Sequence, residues 1–433
     1  MCRLTNVVGG ILSLTIFGWG LERVELLINP SDKAILEANP YFSDKVPATW
    51  IADGDTIPVS VSYRGAYSLK NLLTVANGPR NWKVKTSKTM TYRGLREWNF
   101  NLENHLREKM ALDLYAAAGV ISLPARHVEF YVNGIRSGIY LEFPDPDNKE
   151  WMTTAWGSSD GDLYKAATDI PGVPAFFGET TYLGDNDTNY YKHYQKKTNN
   201  DSIDSLDYSS IREFLTWVNQ STDSEFAQGL EARFDVPTFI RYLVVSNFAG
   251  HWDGFPNRGK NFWLYQSSVD SKWHFIPWDV DATFQPITYC LNNMGANAGL
   301  FFMNWPANYC PSTPETKARP LFTRMMAIEK WHNMYLGEYQ KALSSYLSET
   351  VVNQHLDSLE ALLLPAELNG EESYDFSYNM DQMRSFLDSR YSNVTTLLEP
   401  FPIYDPAAIL KFSKREFSST RQLLHFDLLG RIR

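Results

Sequence analysis

The stretch His251-Trp-Asp-Gly-Phe-Pro-Asn-Arg-Gly-Lys-Asn-Phe-Trp-Leu-Tyr265, followed by Phe275-Ile-Pro-Trp-Asp-Val-Asp281, decides the reading of this chain. It brings Asp253, Asp279 and Asp281 together with Asn257 and Asn261 around two short strands. Asp279 and Asp281 stand two residues apart. Side chains alternate along a strand, so this spacing predicts both carboxylates on one face. Two carboxylates on one face repel unless a cation or protons lie between them. With Asp253 and an asparagine added, the set reads as a hard-cation site of the kind that holds Mg²⁺ against nucleotide phosphates. Read structurally, the same aspartates cap loops or pair with arginines, and Asp253-Gly254 is a common turn pair.

Outward from this stretch, Lys260–Gln266 and Lys272–Trp278 are predicted as paired strands around a Ser-Ser-Val-Asp-Ser turn. Val236–Ala249 is an apolar helix that runs into Asp253, and Ser209–Gln220 and Asp223–Arg233 carry helical spacing. Asp185–Asp207 is polar and predicted as a surface loop or insertion. Pro320–Leu398 is helix-patterned throughout. Upstream the period changes to two. Arg23–Asn29, Val59–Gly65 and Asn81–Lys85 read as strands, the last with Trp82 and Val84 on one face and Lys83 and Lys85 on the other. Ser31–Asn39 reads as a short helix capped by Ser31. Asn104–Ala118 reads as a longer helix stopped by Gly119. His127–Leu141 reads as a hairpin about Asn133-Gly134.

The chain has 433 residues and a formal net charge of −10, room for two lobes with cores of their own. The acidic balance argues against a nucleic-acid partner. Of the cysteines Cys2, Cys290 and Cys310, the last two bracket a Gly/Asn-rich loop that a disulfide would close in an oxidising compartment; the alternative is two free thiols. The apolar run Val7–Trp19 is short for a membrane span and resembles a weak signal-peptide core or a lead-in strand, and no other segment is long and apolar enough to span. Asn186, Asn200, Asn219 and Asn393 begin Asn-x-Ser/Thr sequons, relevant where secreted proteins are glycosylated.

A β-rich first part with one prominent helix, then a mostly helical part with acidic residues on a hairpin, is the layout of a two-lobed α+β protein-kinase-like fold. Five ordered stretches resemble the spore-coat CotH kinase family, an atypical protein-kinase-like group. They are Val46-Pro-Ala48 with Asp53-Gly54; Tyr63-Arg-Gly65 with Ser68; Asn81-Trp-Lys-Val-Lys85; Tyr131-Val-Asn-Gly134 with Gly138-Ile-Tyr140; and Asp253 with Asn261-Phe-Trp-Leu-Tyr265 and Pro277-Trp-Asp-Val-Asp281. Met383-Arg-Ser-Phe-Leu-Asp-Ser-Arg390 also fits, so the likeness covers residues 22 to 400. It implies a division into an apolar, signal-like segment 1–21, a β-rich N-lobe 22–150, a helical C-lobe 151–400 with the catalytic and metal motifs, and a tail 401–433.

The resemblance implies transfer of the ATP γ-phosphoryl group to Ser or Thr of a Ser-rich surface or coat protein, with Mg²⁺ or Mn²⁺, in a secreted or cell-surface setting. Other members look like adhesins or invasins, so a kinase-like scaffold serving as a structural or adhesive binding module is the alternative. A metal-dependent hydrolase or nucleotidyltransferase using the same carboxylates is a third reading. By analogy Asp253 is the base, Asp279 the main metal ligand with Asp281 beside it, and Asn261 or Asn257 a metal or phosphate ligand. Arg64 either reaches a phosphate or shapes the strand turn. The family's Lys-containing run is Gly78-Pro-Arg-Asn-Trp82 here, which leaves Arg80, Lys83 and Lys85 as candidate phosphate cations. Where the family carries a Glu after the second hairpin strand, this chain has Pro144. Glu142, Asp145, Glu103 and Glu108 are the candidate substitutes.

Overall fold

The computed structural model describes residues 20–41, 44–65, 67–74, 78–166, 177–199, 207–285, 299–300, 319–368 and 373–404. The run Val7–Trp19, the three cysteines with their suggested disulfide, the Asn200 sequon and the tail from 405 lie outside these residues.

Period-two patterning in the first part produces a closed barrel. Its strands are β1 (Glu22–Leu27), β2 (Val46–Ala52), β3 (Asp55–Tyr63), β4 (Trp82–Thr86), β5 (Glu97–Asn101), β6 (Arg126–Val132) and β7 (Ile135–Pro144). They follow the order β1-β2-β3-β4-β5-β7-β6, and β6 returns parallel to β1. Closure removes the unpaired edges that an open sheet would expose. Inward-facing aromatics fill the interior: the Trp50 and Phe100 rings lie 4.8 Å apart and Phe100 and Phe130 5.2 Å apart. In β4, Trp82 and Val84 point in while Lys83 and Lys85 point out, as their alternation predicts. The hairpin turn is the expected one: Asn133 and Gly134 both take positive φ, 51° and 81°. Gly138, opposite a register shift at Phe130/Tyr131, has φ 137°, a value that a side chain would resist.

One pair inside the barrel is polar. Arg126 faces Glu142 across β6 and β7 and donates to both of its carboxylate oxygens at 2.9 Å, and Arg126 also reaches the Tyr92 hydroxyl at 2.6 Å. Glu142 is fully buried. Removing the guanidinium would strand this carboxylate in an apolar interior. Arg126→Met should therefore lose about 3–5 kcal/mol of stability by urea unfolding, and the double variant Arg126→Met/Glu142→Leu should recover much of it.

β7 belongs to two cores. Tyr140 packs into the barrel, while Ile139, Leu141 and Phe143 face the larger core of the second part. Helix α3 (His105–Ala117) is buried in that second core too and packs on α7. Helices α1 (Pro30–Ala38) and α2 (Tyr67–Leu72) flank the barrel strands in sequence. α1 starts one residue earlier than predicted: Asn29 is its N-cap and Pro30, with φ already suited to a helix, is its first residue.

The second part holds α4 (Lys149–Trp156), α5 (Ser209–Gln220), α6 (Asp223–Arg233), α7 (Val236–Phe248), the short α8 (Phe255–Arg258), α9 (Pro320–Ala327), α10 (Glu329–Leu343), α11 (Glu349–Leu368) and α12 (Ser373–Leu398). Set among them is a four-stranded sheet in the order β11-β10-β8-β9, with β8 (Asp162–Ala166), β9 (Tyr194–Lys196), β10 (Phe262–Gln266) and β11 (Trp273–Pro277). The expected helices and the β10–β11 pair are present. The Asp185–Asp207 expectation is corrected in part: Tyr190 and Tyr194 are buried and β9 pairs with β8, because alternating tyrosines supply apolar area that the surrounding Asp and Asn disguise. A β-rich first region followed by a mostly helical one is the order of elements that the patterning implied. Among the described residues no helix is long and apolar enough to cross a membrane.

Candidate active site

Helix α7 ends just before the decisive stretch, and buried polar contacts hold that end in place. Tyr339 donates to Asn247 Oδ1 at 3.0 Å, and the fully buried Arg390 of α12 donates to the Asn247 carbonyl at 3.0 Å. The arginine that closes the C-terminal motif therefore anchors the helix leading to Asp253. Gly254 is required for space rather than for φ: a Cβ there would lie 2.6 Å from the His251 ring nitrogen. Arg319, buried, donates to the carbonyls of Phe255 at 3.1 Å and Asn257 at 2.9 Å and so fixes α8.

The result is a compact polar group. Asn261, with φ 60°, donates to Asp253 Oδ2 at 3.0 Å, and Lys260 Nζ lies 2.8 Å from the same oxygen. The geometry favours Asn261 over Asn257, whose side-chain amide is turned back onto the Trp252 carbonyl. Asp253 thus sits between a cation and an amide, its carboxylate oriented without being closed off.

Asp279 and Asp281 come together, but not through strand alternation. β11 ends at Pro277, and Asp279 adopts φ 52°, so both lie in the segment beyond the strand. Asp279 is exposed and Asp281 half-buried. Asn104, at the start of α3, donates to Asp281 Oδ2 at 2.9 Å, and Arg107 donates to Gln285 at 2.9 Å, so α3 is tied to this segment. Burial, then the neighbouring Asp279, push the Asp281 carboxyl up to about 7. Burial, then Asp281 and Asp279, push Glu108 of α3 up to about 8. Asp279 thus bears on Asp281, and both bear on Glu108, as neighbouring negative charges. Among the described residues no three His, Cys, Asp or Glu side chains are grouped so that they could hold a metal ion.

Glu108 supplies a testable sign. Its folded pKa lies above the ordinary carboxyl value, so its contribution to stability is full below about pH 4.5 and is lost as pH rises through about 8. Glu108→Gln should therefore melt close to the wild type at pH 5 and above it at pH 8–9 in metal-free buffer. Equal melting temperatures across that range would contradict the assignment.

Arg64 follows the end of β3. Its Nη1 donates to Asn101 Oδ1, and Asn101 Nδ2 donates to Glu108 Oε2 at 3.0 Å, so an arginine reaches the helix carboxyl through an asparagine. The Arg64 guanidinium also lies 5.3 Å from the Phe143 ring and 5.8 Å from Trp278, the aromatics at which the two parts meet.

The other three expected phosphate cations, Arg80, Lys83 and Lys85, are engaged within the chain. Arg80 is 3% exposed and donates to the carbonyls of Leu72, Gly78 and Pro79 while pairing with Glu37 at 3.4 Å. This corrects its candidacy: its donors are spent on the loop that precedes β4. Lys83 pairs with Asp145 and with Glu97 at 2.7 Å. Burial works against its charge, but Asp145 and Glu97 outweigh it and hold the ammonium above its ordinary pKa. Lys83 is thus neutralised by the chain itself. Lys85 likewise meets Glu97, at 2.7 Å. Among the candidate acids, Asp145 pairs with Lys83 and Glu142 with Arg126, and Glu108 is the one linked to Arg64.

Several site residues escaped the sequence reading. Asn101 carried a signal: Asn99 and Asn101 share a face of β5, and asparagine is disfavoured in strands. Asn104 and Arg319 carried none, since their partners are distant in sequence.

A family model described as "CotH kinase protein" matches residues 61–394 of this chain. The chain is similar to inner spore coat protein H of Bacillus subtilis (strain 168), 25% identical over 269 residues that cover 61% of this chain and 69% of that protein. It is also similar to Invasin CotH2 of Rhizopus delemar, 24% identical over 48% of this chain but only 35% of that longer protein. Among solved structures it is similar to the Shewanella oneidensis MR-1 toxin–antitoxin assembly of HipA, HipB and operator DNA, with a TM-score of 0.36 and 11% identity over 86% of this chain and 82% of that one. A second is the Helicobacter pylori proinflammatory kinase CtkA, with a TM-score of 0.30 and 10% identity over 76% of this chain and 95% of that one.

Proposed function

The chain belongs to the CotH kinase family, and on that premise we propose that it is an ATP-dependent protein kinase acting on Ser or Thr hydroxyls of a surface or coat protein. One observation supports this above the rest. Asn261 orients Asp253, and Asp279 and Asp281 act as neighbouring charges on Glu108, which Asn101 links to Arg64.

Each residue has a role that its surroundings suit. Asp253, oriented by Asn261 and Lys260, accepts the proton of the acceptor hydroxyl as its oxygen attacks the γ-phosphorus. The γ-phosphorus bond to the bridging oxygen breaks, and the electron pair leaves with ADP. Asp279, Asp281 and Asn261 are the residues that would hold Mg²⁺ or Mn²⁺. Such an ion supplies charge neutralisation at the phosphate oxygens. Arg64 offers donors to the phosphates, as a guanidinium does well. The names of the relatives, a spore coat protein and an invasin, favour a secreted or cell-surface setting and a coat-type acceptor.

Purified protein should melt at a higher temperature with ATP and Mg²⁺ and should pass label from γ-labelled ATP to itself or to Ser-rich peptides. Binding without label would leave a kinase-like binding scaffold, and phosphate released without labelled protein would point to a hydrolase.

A further inference from the structure

Two lysines on the four-stranded sheet have no role in the scheme so far. Lys165 of β8 lies directly across from Trp263 of β10 in the strand register. Its ammonium is 6.0 Å from the Trp263 ring and 5.5 Å from Trp278. Lys197, just beyond β9, brings a second ammonium to 5.8 Å from Trp263. No carboxylate among the described residues forms an ion pair with either one. Lys83 and Lys85, by contrast, pair with Glu97, and Lys260 pairs with Asp253.

This arrangement is unfavourable for the protein alone. Burial, then Lys197 beside it, push Lys165 down to about 8, while Asp279 and Asp145 only partly oppose them. The Trp263 and Trp278 ring faces are weak compensation for two neighbouring like charges, and Asp147 acts on Lys197 without pairing with it. A protein that needed these positions only for packing would fill them with apolar side chains. The arrangement becomes favourable once a polyanion enters. The place is suited to one, because the Lys165 ammonium and the Arg64 guanidinium both lie within 6 Å of the same Trp278 ring.

We propose that Lys165, supported by Lys197, is a second phosphate-binding cation that reaches a polyphosphate from the sheet of the helical part, opposite Arg64 on the barrel. Its assignment to a nucleotide rests on the kinase reading above; its affinity for phosphate groups does not. Lys165 thereby takes over from the barrel lysines, which the chain has neutralised with Glu97 and Asp145.

The test is calorimetric titration of the full chain with tripolyphosphate, ATP and adenosine, with and without Mg²⁺, alongside thermal unfolding of the apo protein. Lys165→Met should bind tripolyphosphate and ATP at least about tenfold more weakly, the size of one charge-assisted hydrogen bond, and bind adenosine unchanged. Lys165→Arg should keep ATP binding within about threefold, and Lys197→Met should show a smaller loss. Apo Lys165→Met should melt at or above the wild-type temperature, since an uncompensated charge is gone; a merely structural lysine would do the reverse. Wild-type affinity for ATP and tripolyphosphate in a folded Lys165→Met protein would overturn the inference and leave the kinase reading intact. Lysine-dependent polyphosphate binding without label transfer would keep the inference and remove the kinase reading. A wild type that binds neither ATP nor tripolyphosphate would remove both.

Discussion

Replacing Asp279 with asparagine should abolish measurable phosphoryl transfer while the protein stays folded. Asp279 is exposed and sits at φ 52°, a conformation that asparagine tolerates and alanine resists. The Asn variant therefore changes the charge and little else. We expect transfer to fall by at least about 10³-fold, or roughly 4 kcal/mol of transition-state stabilisation, because charge neutralisation at the transferring group is the main thing such a site provides. In metal-free buffer the same variant should be more stable than the wild type, since Asp279 is one of the charges that push Asp281 and Glu108 up. The two effects have opposite signs and a common cause. A general unfolding effect could not produce both. Label transfer within tenfold of wild type would sink the assignment of Asp279 to the metal.

The second large effect is expected at Asp253. Asp253→Asn retains an oxygen to accept from Asn261, so the loop geometry should survive. What is lost is the base. A positioned base contributes about 10²–10⁴-fold, and the loss should fall on kcat. Asp253 interacts with Asn261, Lys260 and, at 3.9 Å, Arg258, none of them among the cations proposed for the phosphates. ATP affinity should therefore change by no more than about threefold, which separates this variant from Lys165→Met and its binding defect. Pre-steady-state label transfer together with ATP titration checks the split. Unchanged kcat, or a collapse in ATP affinity with normal kcat, would place the base elsewhere.

The departures at Pro79 and Pro144 lose some of their weight in the folded protein. Arg80 is committed to three loop carbonyls and Lys83 to two carboxylates, so neither position needs to hold a phosphate. Arg64 and Lys165 are the cations we propose for the phosphates. Glu108, on the helix, is the acid linked to Arg64 through Asn101, and the hairpin acids are engaged with Lys83 and Arg126.

Much of this was legible from sequence because it is local. The Asn133-Gly134 turn, the in-and-out alternation of β4, the boundaries of α5 and α6 and the β10–β11 pair each depend on residues within one or two turns or strands of themselves. The closeness of Asp253 to Asn261 and of Asp279 to Asp281 was legible as well, since residues 251 to 281 form one contiguous stretch. The reason given for the last two was wrong, because β11 ends before Asp279 and a left-handed residue, not alternation, sets their relation.

The sequence by itself thus determined where strands give way to helices and which acidic residues gather around the decisive stretch, because backbone preference and hydrophobic period act over a few residues. Tertiary structure alone decided which charges are cancelled. Lys83 meets Asp145 and Arg126 meets Glu142 across the barrel, Arg390 reaches Asn247 from the last helix, and Lys165 is left facing Trp263 and Trp278. A charge's free energy depends on every group within a few ångströms, and barrel closure and helix packing choose those groups from far along the chain.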